Sequence, residues 1–272
     1  MSAGLSADEP GDTPAPARGG RVHVEFVMGM AVSIDIRDDI ATAALDEVLL
    51  WLHHVDETFS TYKPDSPISL FGTGVAMVEE LSDEVRGVLT LCEELFVDTG
   101  GAFDAYVVPA PNGSHFDPSG VVKGWSIERS AEILERHGAV NFCINAGGDI
   151  ALRGEARPGE PWRVGIRHPD QPAMSAAVVG GAGRLAVATS ATYERGAHII
   201  DPSTGAPTAD LASVTIVGPD LTYADAYATA VFVMGVDGLN WIAANHPDYS
   251  AFVITRDDTA LSTSTFAVHR LG

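Results

Sequence analysis

The sequence is poor in cysteine and in basic residues, and it contains no long apolar run. Two cysteines, Cys92 and Cys143, are too few for a disulfide framework. Sixteen Lys and Arg residues stand against 37 Asp and Glu, which gives a formal net charge of −21. Nucleic-acid binding depends on Lys and Arg neutralising phosphates, so this balance excludes nucleic acid as a partner. No stretch approaches the ~20 apolar residues of a membrane span, so no transmembrane segment is expected.

Residues 1–20 lack the basic start and apolar segment of an export signal. They are acidic and rich in Pro, Gly, Ala and Ser, a composition that predicts a disordered tail. No cysteine precedes Cys92, so a lipid anchor is not expected there. Residues 21–272 are predicted to form one domain, because 46% of the chain is hydrophobic and no linker interrupts it. These features predict a cytoplasmic protein.

Apolar periodicity predicts runs of strands interrupted by helices. Residues 22–36 alternate like two strands broken at Met28–Met30, and 139–152 look like a strand pair. Helices are predicted over 40–59, 82–96 and 123–137, near Thr222 and after Asp237, and further strands fill the region between 162 and 255. Because helices and strands do not alternate strictly, the fold class predicted is α+β: a single domain of mixed or antiparallel sheets with flanking helices.

Asp225 and Thr229 stand four residues apart in a predicted helix, so both oxygens project from one face. A carboxylate and a hydroxyl suit a hard cation such as Mg²⁺. An alternative stays open, because Thr222 with Asp225 is also a capping pattern and Thr229 can bond back to a carbonyl.

Two other segments combine residues that suit phosphate chemistry. His198 stands before Ile199–Ile200 and a turn, where it is either a satisfied structural histidine or a group that moves protons near neutral pH. The segment Asp117–Gly124 combines an acid, a glycine turn and Lys123 at a predicted helix start, which suits the binding of an anion.

The order of short motifs is more specific than any single motif. They are Met28–Gly29, Phe59–Tyr62 with Ser66, Gly101–Asp104, Asp117–Gly124, Asn145–Asp149, Thr189–Ser190, His198–Pro202 and Ala224–Thr229. Taken together, this series resembles the FAD:protein FMN transferases, the ApbE family. The resemblance covers nearly all of residues 22–235.

The resemblance implies an Mg²⁺-dependent enzyme that splits FAD, passes FMN to a Thr or Ser hydroxyl of an acceptor flavoprotein and releases AMP. It implies three groups of site residues. The positions that match FAD-binding residues are Met28, Tyr62, Ala102, Phe103, Asp104, Asp117, Lys123 and Ile200. The positions that match metal ligands are Asp225, Thr229 and the carbonyl of Gly120. His198 matches a histidine beside the reacting phosphate.

Several positions depart from the family pattern. Gly72, Tyr106 and Ser119 replace a frequent Asn, Thr and Gly, and Ala228 replaces an acidic residue found in some relatives. The connection 109–117 is also shorter than usual, which would leave the flavin less covered. Two rival functions therefore remain at this point: an Mg²⁺-dependent FAD pyrophosphatase that uses water, and a flavin-binding protein without catalysis.

Overall fold

The structure is a computed structural model that describes residues 20–107, 113–171, 173–192, 200–202, 204–208 and 210–271. The strands are β1 (Arg21–Val27), β2 (Met30–Ile36), β3 (Phe142–Ala146), β4 (Asp149–Arg153), β5 (Trp162–Arg167), β6 (Ser175–Gly181), β7 (Leu185–Ala191), β8 (Ile200–Asp201), β9 (Ala206–Pro207), β10 (Leu211–Gly218), β11 (Ser250–Thr255) and β12 (Ala260–Ser262). The helices are α1 (Thr42–Phe59), α2 (Pro67–Gly72), α3 (Asp83–Asp98), α4 (Ser119–Arg136), α5 (Leu221–Met234) and α6 (Gly238–Asn245).

An eight-stranded antiparallel sheet organises the fold. Its strand order is β1-β2-β3-β4-β7-β10-β11-β12, so β1 and β12 form its two edges. A hairpin of β5 and β6 and a short pair of β8 and β9 form two smaller sheets. The predicted α+β class with antiparallel sheets and flanking helices is confirmed.

Two apolar cores lie on opposite faces of the main sheet. On one face, the helices bury a large cluster that includes Ile34, Leu52 and Phe232. On the other face, the β5–β6 hairpin packs Trp162 and Val164 against β4, β7 and β11. The helix α5 is buried along most of its length between α4 and the sheet.

The helices predicted over 40–59 and 82–96 are confirmed as α1 and α3, and the Ser82 hydroxyl caps α3 by accepting from the Val85 N–H. The predicted start of the third helix at Lys123 is wrong, because α4 begins at Ser119. Asp117 accepts a hydrogen bond from the Ser119 N–H, and Pro118 precedes the first turn. Tertiary packing outweighs the weak helix propensity of Gly120 and Gly124.

Residues Leu221–Asn245 have the length and mean hydropathy of a membrane span, at 25 residues and 1.2. A 3-10 turn over Gly235–Asp237 interrupts them, and half of the apolar window is buried inside the fold. The first part of this stretch, α5, packs against α4, β7 and β10 in the interior of the domain.

The predicted tail falls almost entirely on residues 1–19, which lie outside the described residues. The domain boundaries at 20 and 21 accordingly stay a prediction.

Candidate active site

Helices α4 and α5 touch where Gly124 faces Asp225. The Gly124 N–H donates to Asp225 Oδ2 over 2.9 Å. A Cβ added to Gly124 would lie 2.4 Å from the Leu221 carbonyl oxygen and 2.7 Å from the Asp225 Cβ. Only glycine permits this approach, which holds the Asp225 carboxylate against the neighbouring helix.

The capping alternative for Asp225 is wrong. Asp220 is the N-cap of α5, and its side chain accepts from the Thr222 N–H over 2.8 Å. Thr222 is already inside the helix, and Asp225 bonds to α4 instead of to its own first turn. The Asp225 side chain is therefore free of any capping role.

Lys123 connects two buried carboxylates. Its Nζ lies 2.6 Å from Asp149 Oδ2 and 3.7 Å from Asp225 Oδ1. Asp149 is the first residue of β4 and is 1% exposed, and its Oδ1 accepts from the Thr189 N–H over 3.0 Å. Sequence reasoning placed Asp149 in a family motif but did not assign it to the site. No spacing rule could have paired it with Lys123, because they belong to different elements.

The electrostatics of Asp225 favour a bound cation. Burial raises the pKa of Asp225 well above the ordinary value of a carboxyl group, and nearby Asp149 raises it further. Lys123 and the Gly124 N–H lower the same pKa but do not cancel the effect of burial. A carboxylate in such a place gains stability when positive charge approaches it.

Gly120 of α4 and Thr229 of α5 lie close together, each one helical turn away from the contact between Gly124 and Asp225. A Cβ added to Gly120 would lie 4.0 Å from Thr229 Oγ1 and 3.2 Å from the ring of Phe103. The hydroxyls of Thr73 and Thr99 donate to carbonyls in the preceding turn. Thr229 forms no such bond within the part of the chain that the structure describes. Its hydroxyl is therefore available to a ligand.

These donors fit Mg²⁺. The Asp225 carboxylate, the Thr229 hydroxyl and the Gly120 carbonyl are all hard oxygen groups on adjacent turns of α4 and α5. Among the described residues, no group of three or more His, Cys, Asp or Glu could hold a metal. Mg²⁺ needs no such cluster, because it is usually bound through one or two carboxylates and completes its shell with waters and substrate phosphates.

Met28 lies in a strained turn beside α4. Met28 and Gly29 connect β1 to β2 with φ angles of 54° and 72°. A positive φ is uncommon for a residue other than glycine, and such strain is frequent at binding sites. The Ser126 hydroxyl of α4 lies 3.9 Å from Met28 Sδ and donates to the Lys123 carbonyl over 2.8 Å. The turn is thus tied to the helix that carries Lys123.

Asp117 is joined by a backbone hydrogen bond to Ala105, the residue that follows the run Ala102–Asp104. Asp117 N–H donates to the Ala105 carbonyl over 2.8 Å, and Asp104 Oδ1 accepts from the Tyr106 N–H. Phe103 is only 2% exposed, so its side chain packs inside the protein.

The remaining predicted site residues differ in their surroundings. Tyr62 is 75% exposed, which leaves its ring open to a ligand. Ile200 opens β8 and is half-buried. His198 lies outside the described residues.

The structure shows the surroundings of three positions that depart from the family pattern. A Cβ on Gly72 would lie 1.9 Å from Ser114 Oγ, because the short connection packs directly on the end of α2. The Tyr106 ring packs against Phe116 in a tilted arrangement, with ring centroids 4.8 Å apart. Ala228 is fully buried, which leaves no room for an acidic ligand on that side of α5. In the described part of this connection, Phe116 is buried and packs against Phe71 and Tyr106. The expectation that the short connection leaves the flavin less covered stays a prediction.

The comparisons with known proteins point to one family. The ApbE family model matches residues 28–116 and 107–253 of the chain. The chain belongs to the ApbE family. An ApbE relative in Haemophilus influenzae, named FAD:protein FMN transferase, is 27% identical and aligns with 88% of this chain and 87% of its own length. A relative of the same name in Escherichia coli K12 is 24% identical, and the alignment covers 92% and 89% of the two chains.

Solved ApbE structures share the fold. The flavin transferase ApbE from Vibrio cholerae superposes with a TM-score of 0.80 at 26% identity, over 92% of this chain and 99% of its own. The ApbE protein of Thermotoga maritima gives a TM-score of 0.82 at 21% identity. At this identity the comparison shows only that the two proteins share a fold.

Proposed function

We propose that this ApbE protein is an Mg²⁺-dependent flavin transferase that moves FMN from FAD to a Thr or Ser hydroxyl of an acceptor flavoprotein. The observation that carries the proposal is the position of Lys123 between Asp149 and Asp225, one turn from Gly120 and Thr229. This arrangement supplies a cation and hard oxygen donors at one place, which a diphosphate substrate requires.

The charge of the chain explains why these groups are needed. FAD carries a negatively charged diphosphate, and it must approach a protein with a net charge of −21. Lys123 offsets part of the negative charge of the two carboxylates beside it, Asp149 and Asp225, so that they repel the diphosphate less. Asp225, Thr229 and the Gly120 carbonyl would hold Mg²⁺, which supplies charge stabilisation on phosphoryl oxygens when bound.

The proposed reaction is a displacement at phosphorus. The acceptor hydroxyl oxygen forms a bond to the FMN phosphorus, the bond to the bridging oxygen breaks, and AMP leaves with that oxygen. The hydroxyl proton must go to a base. His198 is the proposed residue beside the phosphate, either as that base or as a donor to the phosphoryl oxygens. The Met28 turn and the exposed Tyr62 ring are proposed to hold the flavin.

The test is an assay with FAD, Mg²⁺ and a flavoprotein that carries a target threonine. We expect covalent flavin on the acceptor and AMP in equal amounts, and loss of both with EDTA. Lys123→Met should lose most activity, whereas Arg129→Met, a surface change on the same helix, should keep it. Full activity of Lys123→Met would overturn the proposed role of the α4–α5 junction.

The same assay separates the rival functions. Free FMN that appears at the same rate with and without acceptor indicates a pyrophosphatase, and FAD that stays intact indicates a binding protein. The cytoplasmic location stays a prediction from the sequence.

A further inference from the structure

A cavity of about 270 Å³ lies between the β5–β6 hairpin and the main sheet. Three segments line it, namely the turn 147–148 between β3 and β4, residues 164–167 of β5, and Val187 with Thr189 of β7. Its apolar side chains belong to the second core, on the face of the sheet that the hairpin covers. The cavity is therefore distinct from the Asp225 region, which lies on the helical face.

The cavity adjoins the candidate active site. Thr189 lines it, and the Thr189 N–H donates to Asp149 Oδ1 over 3.0 Å. The turn 147–148 directly precedes Asp149. A Cβ added to Gly147 would lie 3.5 Å from Met30 Sδ, so this turn is a neighbour of the β1–β2 turn. The cavity consequently borders both the candidate site and the turn that is proposed to hold the flavin.

The cavity is too small to hold FAD. Pockets for drug-sized ligands have volumes of about 300–1,000 Å³, and FAD is larger than most such ligands. The predicted FAD-binding residues Phe103 and Lys123 also belong to segments on the helical face of the sheet. The proposed transfer has a second substrate, the protein that supplies the hydroxyl, and that substrate requires a place beside the flavin.

The strand β5 offers backbone hydrogen-bonding groups at the wall of the cavity. On β6, the Val178 C=O accepts from the Leu271 N–H over 2.8 Å, so Val178 points away from β5. Val178 lies opposite Gly165. Bonded and non-bonded pairs alternate along an antiparallel ladder, so the N–H and C=O of Gly165 point away from β6. Among the described residues, no strand pairs with this outer edge of β5, and Gly165 itself lines the cavity.

The rest of the lining suits a small apolar side chain. Val164, Ile166 and Val187 supply buried apolar walls, and the two glycines of the turn 147–148 have no side chains that would block an approaching backbone. No described residue that lines the cavity is acidic, although the chain has a net charge of −21. In strand addition to a sheet edge, main-chain bonds give affinity and pockets for alternate side chains give specificity. This cavity provides both.

We propose that the acceptor flavoprotein binds through an extended segment along the outer edge of β5, with one small apolar side chain in this cavity and the target hydroxyl beside the turn 147–148. The proposal rests on the proposed transferase function, because it names the place of the second substrate of that reaction. A peptide segment is the substrate that uses a strand edge and an apolar pocket together. Gly165 thus determines the binding of the acceptor and not that of FAD.

The first test measures acceptor binding without the reaction. Gly165→Pro removes the outward N–H and leaves the bonds to β6 intact, whereas Gly165→Ala keeps that N–H and is the matched control. Both variants place a Cβ near Ser175 Oγ, so they share any steric effect. Fluorescence anisotropy of a labelled flavoprotein with a target threonine, in EDTA, measures binding. We expect Gly165→Pro to bind it about tenfold more weakly than Gly165→Ala does, with equal shifts of the melting temperature by FAD.

The volume of the cavity supplies a second test. Val164→Ile adds one methylene group to a lining residue and should raise the KM for the acceptor about tenfold while the KM for FAD stays unchanged. Val179→Ile is the matched control, because Val179 lies opposite Val164 in the same core but does not line the cavity. Hydrogen exchange should show the Gly165 amide protected by the acceptor and not by FAD.

Three results would overturn the proposal. The first is equal acceptor binding by Gly165→Pro and Gly165→Ala. The second is protection of the Gly165 amide by FAD alone, which would assign the cavity to FAD. The third is protection of that amide in the protein alone, which would show that the chain or a second copy already covers the edge. A failure of transfer by the native protein would instead overturn the proposed function, since the anisotropy assay decides acceptor binding without the reaction.

Discussion

The ammonium of Lys123 lies 2.6 Å from Asp149 Oδ2, and this contact joins α4 to the start of β4. Asp149 is itself fixed by the Thr189 N–H, so the lysine is oriented by a side chain that cannot rotate freely. The Lys123 ammonium thereby lies between Asp149 and Asp225, 3.7 Å from Asp225 Oδ1.

Asp149→Asn should misplace Lys123 and lower kcat/KM for FAD by roughly 10- to 100-fold, because a small displacement of a positioned charge is costly. Steady-state kinetics with varied FAD and a fixed acceptor measure the effect. Asp46→Asn, an exposed change on α1, should leave the kinetics unchanged. Equal kinetics for Asp149→Asn and the native protein would show that the pair is structural only.

Asp225→Asn should stabilise the metal-free protein while abolishing its response to Mg²⁺. Because the folded-state pKa of Asp225 is raised, the folded protein binds a proton more tightly than the unfolded chain does. The free energy of unfolding therefore falls as pH rises above 3.8, the ordinary value. The asparagine variant lacks this loss, and we expect it to gain roughly 1–2 kcal/mol at neutral pH.

Urea denaturation in EDTA at pH 5 and pH 8 measures the change in the free energy of unfolding of each protein, and a Mg²⁺ titration of the melting temperature measures binding. The native protein should lose more stability between these two pH values than the variant does. An equal change in both proteins would contradict the assignment.

Gly124→Ala should destabilise the protein by about 2 kcal/mol or more, because its methyl group would overlap the Leu221 carbonyl and push α5 away from α4. Gly87→Ala is the matched control. Gly87 lies on the exposed face of α3, and no atom lies within 4 Å of the place where its methyl group would stand, so alanine should stabilise by roughly 0.5–1 kcal/mol. Opposite signs in thermal denaturation are the expected result, and equal effects would count against the close approach.

Glu128→Ala should cost about 2–3 kcal/mol, because it removes one of the two carboxylates that pair with the buried guanidinium of Arg153 and leaves only Glu135. Glu128 also accepts from the Leu221 N–H over 3.0 Å, so the first turn of α5 should loosen too. Glu132→Ala, which removes an exposed ion pair with Arg129 on the same helix, should cost less than about 1 kcal/mol. Denaturant titrations of both variants compare them directly.

The sequence predicts those parts of the site that depend on local spacing. Asp225 and Thr229 share a helix face because they are four residues apart, and Met28–Gly29 break an alternating run, which marks a turn. The sequence does not predict those parts of the site in which contacts join segments that are far apart along the chain. The bond between Gly124 and Asp225 spans 101 residues, and the pairing of Lys123 with Asp149 requires α4 to lie across the sheet.

The start of α4 shows how a local rule can mislead. The segment Asp117–Gly120 reads as a tight turn because it combines an Asx residue, proline, serine and glycine. In the fold, the same residues form the helix start, and Gly120 is there because Phe103 and Thr229 come close to its backbone. Glycine stands at this position because side chains from other elements pack close to its backbone. A single sequence does not show that packing.

The division of the apolar interior into two clusters has an evolutionary consequence. Every described charged group around Asp225 comes from the helical side of the main sheet or its edge, whereas Trp162 and Val164 belong to the opposite side. Changes in the loop around Gly159 should therefore alter tolerance to heat more than they alter the chemistry. Val164 and Arg167 are less independent of the site, because they line a cavity together with Thr189, whose N–H holds Asp149.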